Sequence, residues 1–462
     1  MFLLERKIDL ETTIAAVSTP PGTGGIAIIR ISGKNAVNIA DMVYRGKNSL
    51  KEAADRTVNY GFIVDKNEEK IDEALVTIMR APRSFTAEDV VEISIHGSSV
   101  TTREVLSAVI SAGAVHAQAG EFTKRAFLNG RIDLSQAEAV IDIINSQNEL
   151  SRKNALSQLR GRLSDKINKC REKLVALAAA MQVIIDYPDE DLEDVTPEDI
   201  KSVSAGVLGE IKRLCATKEN GRIIQNGIKT AIVGKPNAGK SSLMNMLTGS
   251  DRSIVTDIAG TTRDVIEEYI SLDGIPLRIM DTAGIRDSAD EVEKIGVEKS
   301  RQCIEEADLV IVMLDASREI EDEDRHILDE TKEKRRIILI NKVDICSDTA
   351  GIRAEAGEEC IEISAKSGEG AEGLAEAVKG MYSLGDIESS DMSFITNMRH
   401  QTALENSAAA LERVVSAIEA GLPTDIASID LNIAIDALGE ITGAKASEDI
   451  VNDIFHRFCV GK

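Results

Sequence analysis

Apolar residues follow two different spacings along the chain, and the spacing changes near residue 128. Before that point, short apolar runs alternate with turn residues, at 26–31, 60–64, 74–79 and 90–95. Such runs are typical of strands. Residues 102–112 instead carry apolar side chains at helical spacing and stop near a glycine, which predicts one helix among the strands. The first part of the chain is therefore predicted to be an α+β domain.

From residue 128 onward the apolar positions recur at helical spacing. Residues 135–138, Ser-Gln-Ala-Glu, match a capping box, and the pattern continues to Ile185, where an acidic stretch over 186–194 is expected to end the helix. Pro197 then predicts the start of another helix. Residues 395–458 are again helical in pattern. Since neither flank shows a fold of its own, we expect both to pack into one helical domain with the intervening residues inserted.

The inserted region alternates buried strands with loops, and its first loop carries a phosphate-binding pattern. Residues 234–241, Gly-Lys-Pro-Asn-Ala-Gly-Lys-Ser, fit G-x-x-x-x-G-K-[ST] between an apolar run at 230–233 and a helical pattern at 242–247. The glycines let backbone N–H groups face a β-phosphate, and the helix N-terminus adds partial positive charge. Lys240 would reach the β- and γ-phosphates, and Ser241 would hold Mg²⁺ through its hydroxyl.

Three further loops follow strands in the order that a GTPase requires. Residues 281–284, Asp-Thr-Ala-Gly, can meet Mg²⁺ through water and bind a γ-phosphate. Residues 341–344, Asn-Lys-Val-Asp, end in a carboxylate that can accept both the ring N–H and the exocyclic amine of guanine; adenine offers no such pair of donors. Residues 364–366, Ser-Ala-Lys, are placed to brace the base. The agreement of strand, loop and spacing predicts a Ras-like GTPase domain over about 222–384.

Residues 256–264, Thr-Asp-Ile-Ala-Gly-Thr-Thr-Arg-Asp, occupy the place of the first switch, where adjacent threonines can contact Mg²⁺ and the γ-phosphate. Ile285 stands where Ras-type enzymes carry the glutamine that orients the attacking water. Hydrolysis must therefore use another group or run slowly. The predicted GTP-binding residues are Asn237, Ala238, Gly239, Lys240, Ser241, Ser242, Thr256, Asp257, Ile258, Ala259, Gly260, Thr261, Thr262, Asp281, Thr282, Ala283, Gly284, Asn341, Lys342, Asp344, Ser364, Ala365 and Lys366.

Composition limits the setting and the partners. A length of 462 residues suits about two to four domains. The net charge of −24 argues against a broad basic surface for nucleic acid, so a contact with RNA must be local or shared with a partner. Six scattered cysteines suggest neither a disulfide framework nor a zinc site, which favours a reducing cytoplasm. The charged N-terminus is not a signal peptide, and the longest apolar run, at 174–185, is too short to span a bilayer.

The phosphate-binding loop, the switch segment and the last five residues, Phe-Cys-Val-Gly-Lys, together resemble the MnmE (TrmE) family of tRNA-modification GTPases. This family belongs to the potassium-activated, Ras-like P-loop GTPases, and the resemblance covers nearly the whole chain. It implies a cytoplasmic homodimer that works with the FAD protein MnmG. Together they add an aminomethyl or carboxymethylaminomethyl group to C5 of the tRNA wobble uridine. A tetrahydrofolate derivative, 5-formyl or methylene, would supply the one-carbon unit.

The resemblance also assigns roles to particular residues. It implies that hydrolysis is activated when two GTPase domains meet, with K⁺ replacing an arginine finger. Asn237, Thr256, Ile258 and Thr261 would ligate K⁺, Ser241 and Thr262 would hold Mg²⁺, Glu293 would position the water, and Arg30, Glu92, Arg131 and Lys462 would bind the folate. An ion pair at a strand edge is the alternative for Arg30 and Glu92. Cys459 is either part of the modification chemistry or an inert thiol.

The expected fold is thus multidomain, α/β and α. It comprises an N-terminal α+β domain for folate binding and dimerisation (1–127), a helical domain in two segments (128–221 and 385–462) and an inserted Ras-like α/β GTPase domain (222–384). The alternative function is a regulatory GTPase switch in ribosome assembly, because proteins of that kind carry similar switch segments. The N-terminal domain and the terminal Phe-Cys-Val-Gly-Lys favour tRNA modification.

Overall fold

A computed structural model of the chain describes residues 10–186, 196–249, 268–280, 301–357, 359–382 and 394–462. The predicted site residues at 256–262, 281–284 and 293 lie outside this part. The chain forms two compact units. The first contains Met1–Ile141, Gln158–Thr196 and Ala417–Lys462, and the second contains Asp142–Ser157 and Pro197–Ser416.

The elements up to residue 186 are β1 (Ile14–Val17), β2 (Gly24–Ser32), α1 (Ala36–Val43), β3 (Tyr44–Gly46), β4 (Val58–Val64), β5 (Lys70–Met79), β6 (Val90–Gly97), α2 (Ser99–Ser111), β7 (Val115–His116), α3 (Glu121–Leu128), α4 (Leu134–Asn145), α5 (Glu149–Leu159) and α6 (Arg162–Asp186). Those after it are α7 (Pro197–Ala216), α8 (Lys218–Asn226), β8 (Ile228–Val233), α9 (Lys240–Gly249), β9 (Glu268–Leu272), β10 (Ile275–Ile279), β11 (Leu309–Asp315), α10 (Asp322–Glu330), β12 (Arg336–Asn341), α11 (Ala350–Ala356), β13 (Cys360–Ile363), α12 (Ala371–Met381), α13 (Met398–Glu419), α14 (Thr424–Thr442) and α15 (Glu448–His456).

The N-terminal part is built on a seven-stranded sheet in the order β3-β4-β5-β6-β2-β1-β7. All neighbours are antiparallel except β1 and β7. Alternate residues of the central strands, such as Ile29 and Ile93, share an apolar core with α1 and α2. The four predicted strands and the predicted helix are all present, and the α+β expectation is confirmed.

The single helix expected from 135 to 185 is wrong, because three helices, α4, α5 and α6, occupy this stretch. Gly161 separates the last two with φ of +84°, a conformation that ends a helix readily. Asn148 begins α5, since its Oδ1 accepts from the N–H of Ser151 at 2.8 Å. Apolar spacing continues across Gly161, from Leu159 to Leu163, so periodicity did not reveal that break. Residues 145–149 are all polar, and this interruption was the signal of the break at Asn148.

The capping box predicted at 135–138 is also wrong, by two residues. Asp133 caps α4: its Oδ1 accepts from the N–H of Gln136, and Gln136 Oε1 accepts from the N–H of Asp133, both at 2.9 Å. Ser135 is instead buried, with its Oγ 2.9 Å from Oγ of Ser164.

The two helical segments meet within the first unit, where α6 packs along α14. Phe127 of α3 and Phe455 of α15 also lie 6.3 Å apart between ring centroids. Residues far apart in sequence thus share one helical core, and the fold of a helical domain in two segments is confirmed. The domain boundaries at 127, 221 and 384 remain predictions.

The second unit contains a six-stranded sheet in the order β13-β12-β11-β8-β10-β9. The strands are parallel except β9, which is antiparallel to β10. Apolar clusters cover both faces, as a parallel sheet requires. The carboxyl ends of β8, β12 and β13 therefore lie at one edge, so the loops that follow them come together there.

Candidate functional site

The loop between β8 and α9 is shaped by two glycines. Gly234 has φ of +152° and Gly239 has φ of +103°. A Cβ on Gly234 would lie 2.5 Å from the carbonyl oxygen of Met313, and one on Gly239 would lie 2.1 Å from Nδ2 of Asn341. Both contacts are too short for any side chain, so only glycine lets the loop lie this close to β11 and β12.

Asn341 joins this loop to the two loops predicted to hold the base. Its side chain is buried, Nδ2 donates to the carbonyl oxygen of Ala238 at 2.8 Å, and Oδ1 accepts from the N–H of Ala365 at 2.9 Å. A buried amide with both ends bonded fixes its partners in place. One side chain therefore sets the relative positions of three sequence motifs.

Lys240, the first residue of α9, is folded back over the loop. Its Nζ donates to the carbonyl oxygens of Gly234 at 2.5 Å and Lys235 at 3.0 Å. Burial, followed by the positive charge of Arg318, lowers the pKa of Lys240. An anion bound at this loop would reverse that effect, because it would stabilise the charged ammonium.

A cavity of about 1040 Å³ lies over these loops. Its volume is at the upper end of the range of roughly 300–1,000 Å³ that small-molecule sites occupy. The predicted residues that line it are Asn237, Gly239, Lys240, Ser241, Ser242, Asn341, Lys342, Asp344, Ala365 and Lys366. Ala238 and Ser364 are buried rather than lining it. Ten of the described residues predicted to bind GTP therefore lie around one cavity.

Two charged residues beside this cavity were missed by the sequence analysis. Lys235, within the phosphate-binding loop, is buried and its Nζ contacts Glu321 and lies 3.5 Å from both Glu323 and Asp324. Asp315 ends the otherwise apolar β11 and lies 2.6 Å from Nζ of Lys342. A carboxylate at the end of a wholly apolar strand is the signal that could have indicated Asp315.

The residues predicted to bind folate also cluster, in the first unit. Arg30 and Glu92 face each other across β2 and β6, with Nε to Oε1 at 2.9 Å. The guanidinium carbon of Arg30 lies 5.5 Å from the ring centroid of Phe85, and that of Arg131 lies 5.1 Å from the same centroid. The ion-pair alternative is right about the contact. It is wrong about a strand edge, because β2 and β6 lie inside the sheet.

The end of the chain is bound at this cluster. The carbonyl oxygen of Gly461 accepts from Nη1 of Arg30 at 3.3 Å and from Oγ of Ser18 at 3.1 Å. The N–H of Phe122, in the first turn of α3, donates to the carbonyl oxygen of Lys462 at 3.2 Å. Cys459 is an exposed free thiol. The last two residues therefore belong to the same site as Arg30.

Within the residues that the structure describes, no helix is both long and apolar enough to cross a membrane.

Comparison with known proteins finds one protein family over nearly the whole chain. Residues 13–131 match the family model described as the N-terminus of the GTP-binding protein TrmE, and residues 134–459 match that of the MnmE helical domain. The tRNA modification GTPase MnmE of Acetivibrio thermocellus is 48% identical over 456 residues, covering 98% of this chain and 99% of the relative. That of Lactobacillus delbrueckii subsp. bulgaricus is 46% identical over 463 residues and covers 100% of both.

Two similar solved structures each cover less than half of this chain. Era of Aquifex aeolicus bound to GDP.AlF4- is 30% identical, covers 39% of this chain and 65% of its own, and has a TM-score of 0.26. The G domain of the T. maritima FeoB iron transporter is 24% identical, covers 34% and 98%, and also has a TM-score of 0.26. Scores this low add nothing about the fold. The two family models and the full-length relatives show that this chain belongs to the MnmE family of tRNA modification GTPases.

Proposed function

We propose that the chain hydrolyses GTP as part of tRNA modification at C5 of the wobble uridine, adding an aminomethyl or carboxymethylaminomethyl group. We further propose that it acts in the cytoplasm as a homodimer with the FAD protein MnmG and takes the one-carbon unit from a tetrahydrofolate. Its family makes the chain a GTP hydrolase. The substrate RNA, the partner, the folate and the potassium dependence are proposals.

One observation carries the nucleotide site: the buried amide of Asn341 ties the phosphate-binding loop to the loops of Asp344 and Ala365 around one cavity. Lys240 would bind the β- and γ-phosphates once it leaves the carbonyl oxygens that it now contacts. Asp344, exposed at the cavity, would accept the two N–H groups of guanine.

The residues present suit the two proposed cations. Ser241 lines the cavity at the start of α9, and Asn237, with φ of +63°, lines it from the loop. Both offer hard oxygen ligands, which Mg²⁺ and K⁺ prefer. Ser241 and Thr262 would hold Mg²⁺, and Asn237, Thr256, Ile258 and Thr261 would hold K⁺. The cations would supply positive charge that stabilises the transferring phosphoryl group.

Hydrolysis in two salts tests the potassium site. Turnover of GTP should fall sharply when K⁺ is replaced by Na⁺ at equal ionic strength, and the K⁺ dependence should disappear in Asn237→Ala. Equal turnover in both salts would remove Asn237 from the mechanism.

Glu293 is proposed to position the attacking water, since Ile285 cannot. Glu293→Ala should abolish turnover while GDP affinity stays unchanged, and Glu291→Ala, two residues away, should retain turnover. Normal hydrolysis by Glu293→Ala would show that another residue orients the water.

The N-terminal cluster suits a folate by its chemistry. Guanidinium groups of Arg30 and Arg131 can bind carboxylates of a glutamate tail, the Glu92 carboxylate can accept from the donor-rich pterin edge, and Lys462 adds a further cation. Arg30 and Glu92 are only 16% and 24% exposed, so their interactions with a ligand would be strengthened by partial exclusion of water.

Titration of 5-formyltetrahydrofolate into the full chain tests this site. We expect saturable binding that is weakened at least roughly tenfold by Arg30→Ala, as for loss of a charged hydrogen bond. Arg103→Ala, on the exposed side of α2, should bind as the unmodified chain does. No binding by the unmodified chain would favour the assembly-switch alternative.

A further inference from the structure

Asp315 is the acidic end of an otherwise apolar strand. All seven residues of β11, Leu309–Asp315, are buried, and the Asp315 side chain is only 5% exposed. A buried carboxylate is costly unless charged or polar partners surround it. Its position at the carboxyl end of β11 places it beside the loops that form the nucleotide cavity.

Both carboxylate oxygens of Asp315 have partners. Oδ2 lies 2.6 Å from Nζ of Lys342 and 3.7 Å from Nε of Arg318. Oδ1 accepts from the N–H of Ser317 at 3.0 Å and from its Oγ at 2.6 Å. These contacts hold the carboxylate rigidly, so it can in turn fix the ammonium that it binds.

Lys342 needs such an anchor. It has φ of +69°, a left-handed conformation that costs a non-glycine residue energy unless its surroundings impose it. It follows β12 directly, and the N–H of Ala316 donates to the carbonyl oxygen of Asn341 at 2.8 Å. A backbone hydrogen bond therefore joins the residue after Asp315 to the residue before Lys342, beside the ion pair of their side chains.

Lys342 lines the cavity two residues before Asp344 while its Nζ is held by Asp315. The ion pair consequently holds the aliphatic part of the Lys342 side chain along the cavity wall. It also restrains the backbone that carries Asp344.

We propose that Asp315 is a positioning residue for guanine-nucleotide recognition, holding Lys342 and the loop of Asp344 in the geometry that receives the base. The proposal rests on GTP binding at this cavity. Asp315 touches no base or phosphate itself and acts through Lys342.

The charge of Asp315 is permanent near neutral pH. Burial raises the pKa of Asp315, but hydrogen bonds from Lys342 and Ser317 outweigh this, and the pKa lies below its usual value. The carboxylate therefore stays ionised in the range where the enzyme would work, so the ion pair acts as a fixed anchor.

Asp315→Asn tests the proposal with little change of shape. We expect release of a fluorescent GDP analogue to quicken about tenfold, as for a lost charge-assisted hydrogen bond. KM for GTP should rise while kcat at saturation is retained. The ratio of the affinities for GTP and XTP should also fall. Asp308→Asn is the matched control, because it removes the pair with Arg222 just before the other end of β11 and should leave these values unchanged.

A double variant separates positioning from general stability. If Asp315 acts through Lys342, then Asp315→Asn should add no further quickening of GDP release to that of Lys342→Met. Additive effects of the two substitutions, or GDP release from Asp315→Asn at the unmodified rate, would overturn the proposal. Failure of the unmodified chain to bind GDP would instead refute the proposed nucleotide site.

Discussion

The amide of Asn341 donates to one loop of the cavity and accepts from another, so a single buried side chain sets the spacing between the loops proposed to bind phosphate and base. Asp344, three residues later, is exposed at the cavity and is the residue proposed to select the base. Within one short motif, Asn341 therefore holds the loops together, and Asp344 is the residue proposed to recognise the base.

Asp344→Asn should weaken the preference for guanine over xanthine. An amide offers a donor where the carboxylate offered an acceptor, so it matches the 2-oxo group of xanthine and not the amine of guanine. We expect the preference for GTP over XTP to fall roughly 100-fold or more, because a site built to match a hydrogen-bonding group discriminates strongly against a ligand that leaves it unmatched. Competition of GTP and XTP for a fluorescent GDP analogue measures it.

Asp348→Asn is the control for this substitution, because it removes an acidic group four residues further along without altering the cavity lining. An unchanged preference in Asp344→Asn would refute its role in reading the base.

In the nucleotide site, residues defined by local spacing were predictable, and the pair of Asp315 and Lys342 was not. Lys240, Asn341, Asp344 and Ala365 lie within short motifs that follow strands, so their grouping followed from strand order. Asp315 meets Lys342 across neighbouring strands, 27 positions apart in sequence. Nothing in either local sequence specifies that contact.

At the scale of elements, the conformation of the phosphate-binding loop depends on its close contact with β11 and β12. Gly239 has φ of +103°, and a Cβ added to it would lie 2.1 Å from Nδ2 of Asn341. A side chain there would push Asn341 away from Ala238. The phosphate-binding loop would then lose its hydrogen bond to the loop that carries Asp344.

Gly239→Ala should therefore weaken GDP binding more than tenfold and lower Tm, since an alanine at this φ is strained by about 1–3 kcal/mol even before the clash. Calorimetric titration with GDP and thermal denaturation measure both effects.

Gly380→Ala is the matched control, because Gly380 lies in α12 with no atom within 4 Å of an added Cβ. It should keep GDP affinity and stabilise by up to about 1 kcal/mol, through helix propensity. Tight GDP binding by Gly239→Ala would contradict the close approach of the loop.

The predicted strands are present as separate strands, whereas the sequence predicted one helix where the structure has three, α4, α5 and α6. The predicted strands are short apolar runs bounded by turn residues, and the structure moves their ends by only a few positions. Five of the described strands, β1, β3, β7, β9 and β11, were not predicted. The break at Gly161 leaves the apolar spacing intact, since Leu159 and Leu163 lie four residues apart on either side of it. The break at Asn148 falls in five consecutive polar residues, 145–149, which the predicted single helix passed over. A side-chain cap such as Asp133 depends on local backbone geometry, which spacing does not encode.

Across the whole molecule, the last residues return to the first strands. Gly461 has φ of +97°, and a Cβ there would lie 2.2 Å from the carbonyl oxygen of Val17. Its own carbonyl oxygen accepts from Arg30 and Ser18, more than 400 positions earlier. Gly461 and Lys462 therefore lie beside the folate site proposed for the N-terminal domain.

Gly461→Ala should displace the terminal residues and weaken 5-formyltetrahydrofolate binding about tenfold, because Lys462 and the acceptor of Arg30 would move together. GDP affinity should be unchanged, since the nucleotide cavity is built from other residues. Val460→Ala, which shortens an exposed side chain, is the control. Unaltered folate binding by Gly461→Ala would show that the terminal residues contribute nothing to the site.

The guanine-nucleotide cavity is the claim on which the proposed function depends, and calorimetric titration of the purified chain with GDP and with ADP, in the presence of Mg²⁺, tests it most directly. We predict saturable binding of one GDP per chain and no detectable binding of ADP. Absence of GDP binding, or equal affinity for the two nucleotides, would contradict it.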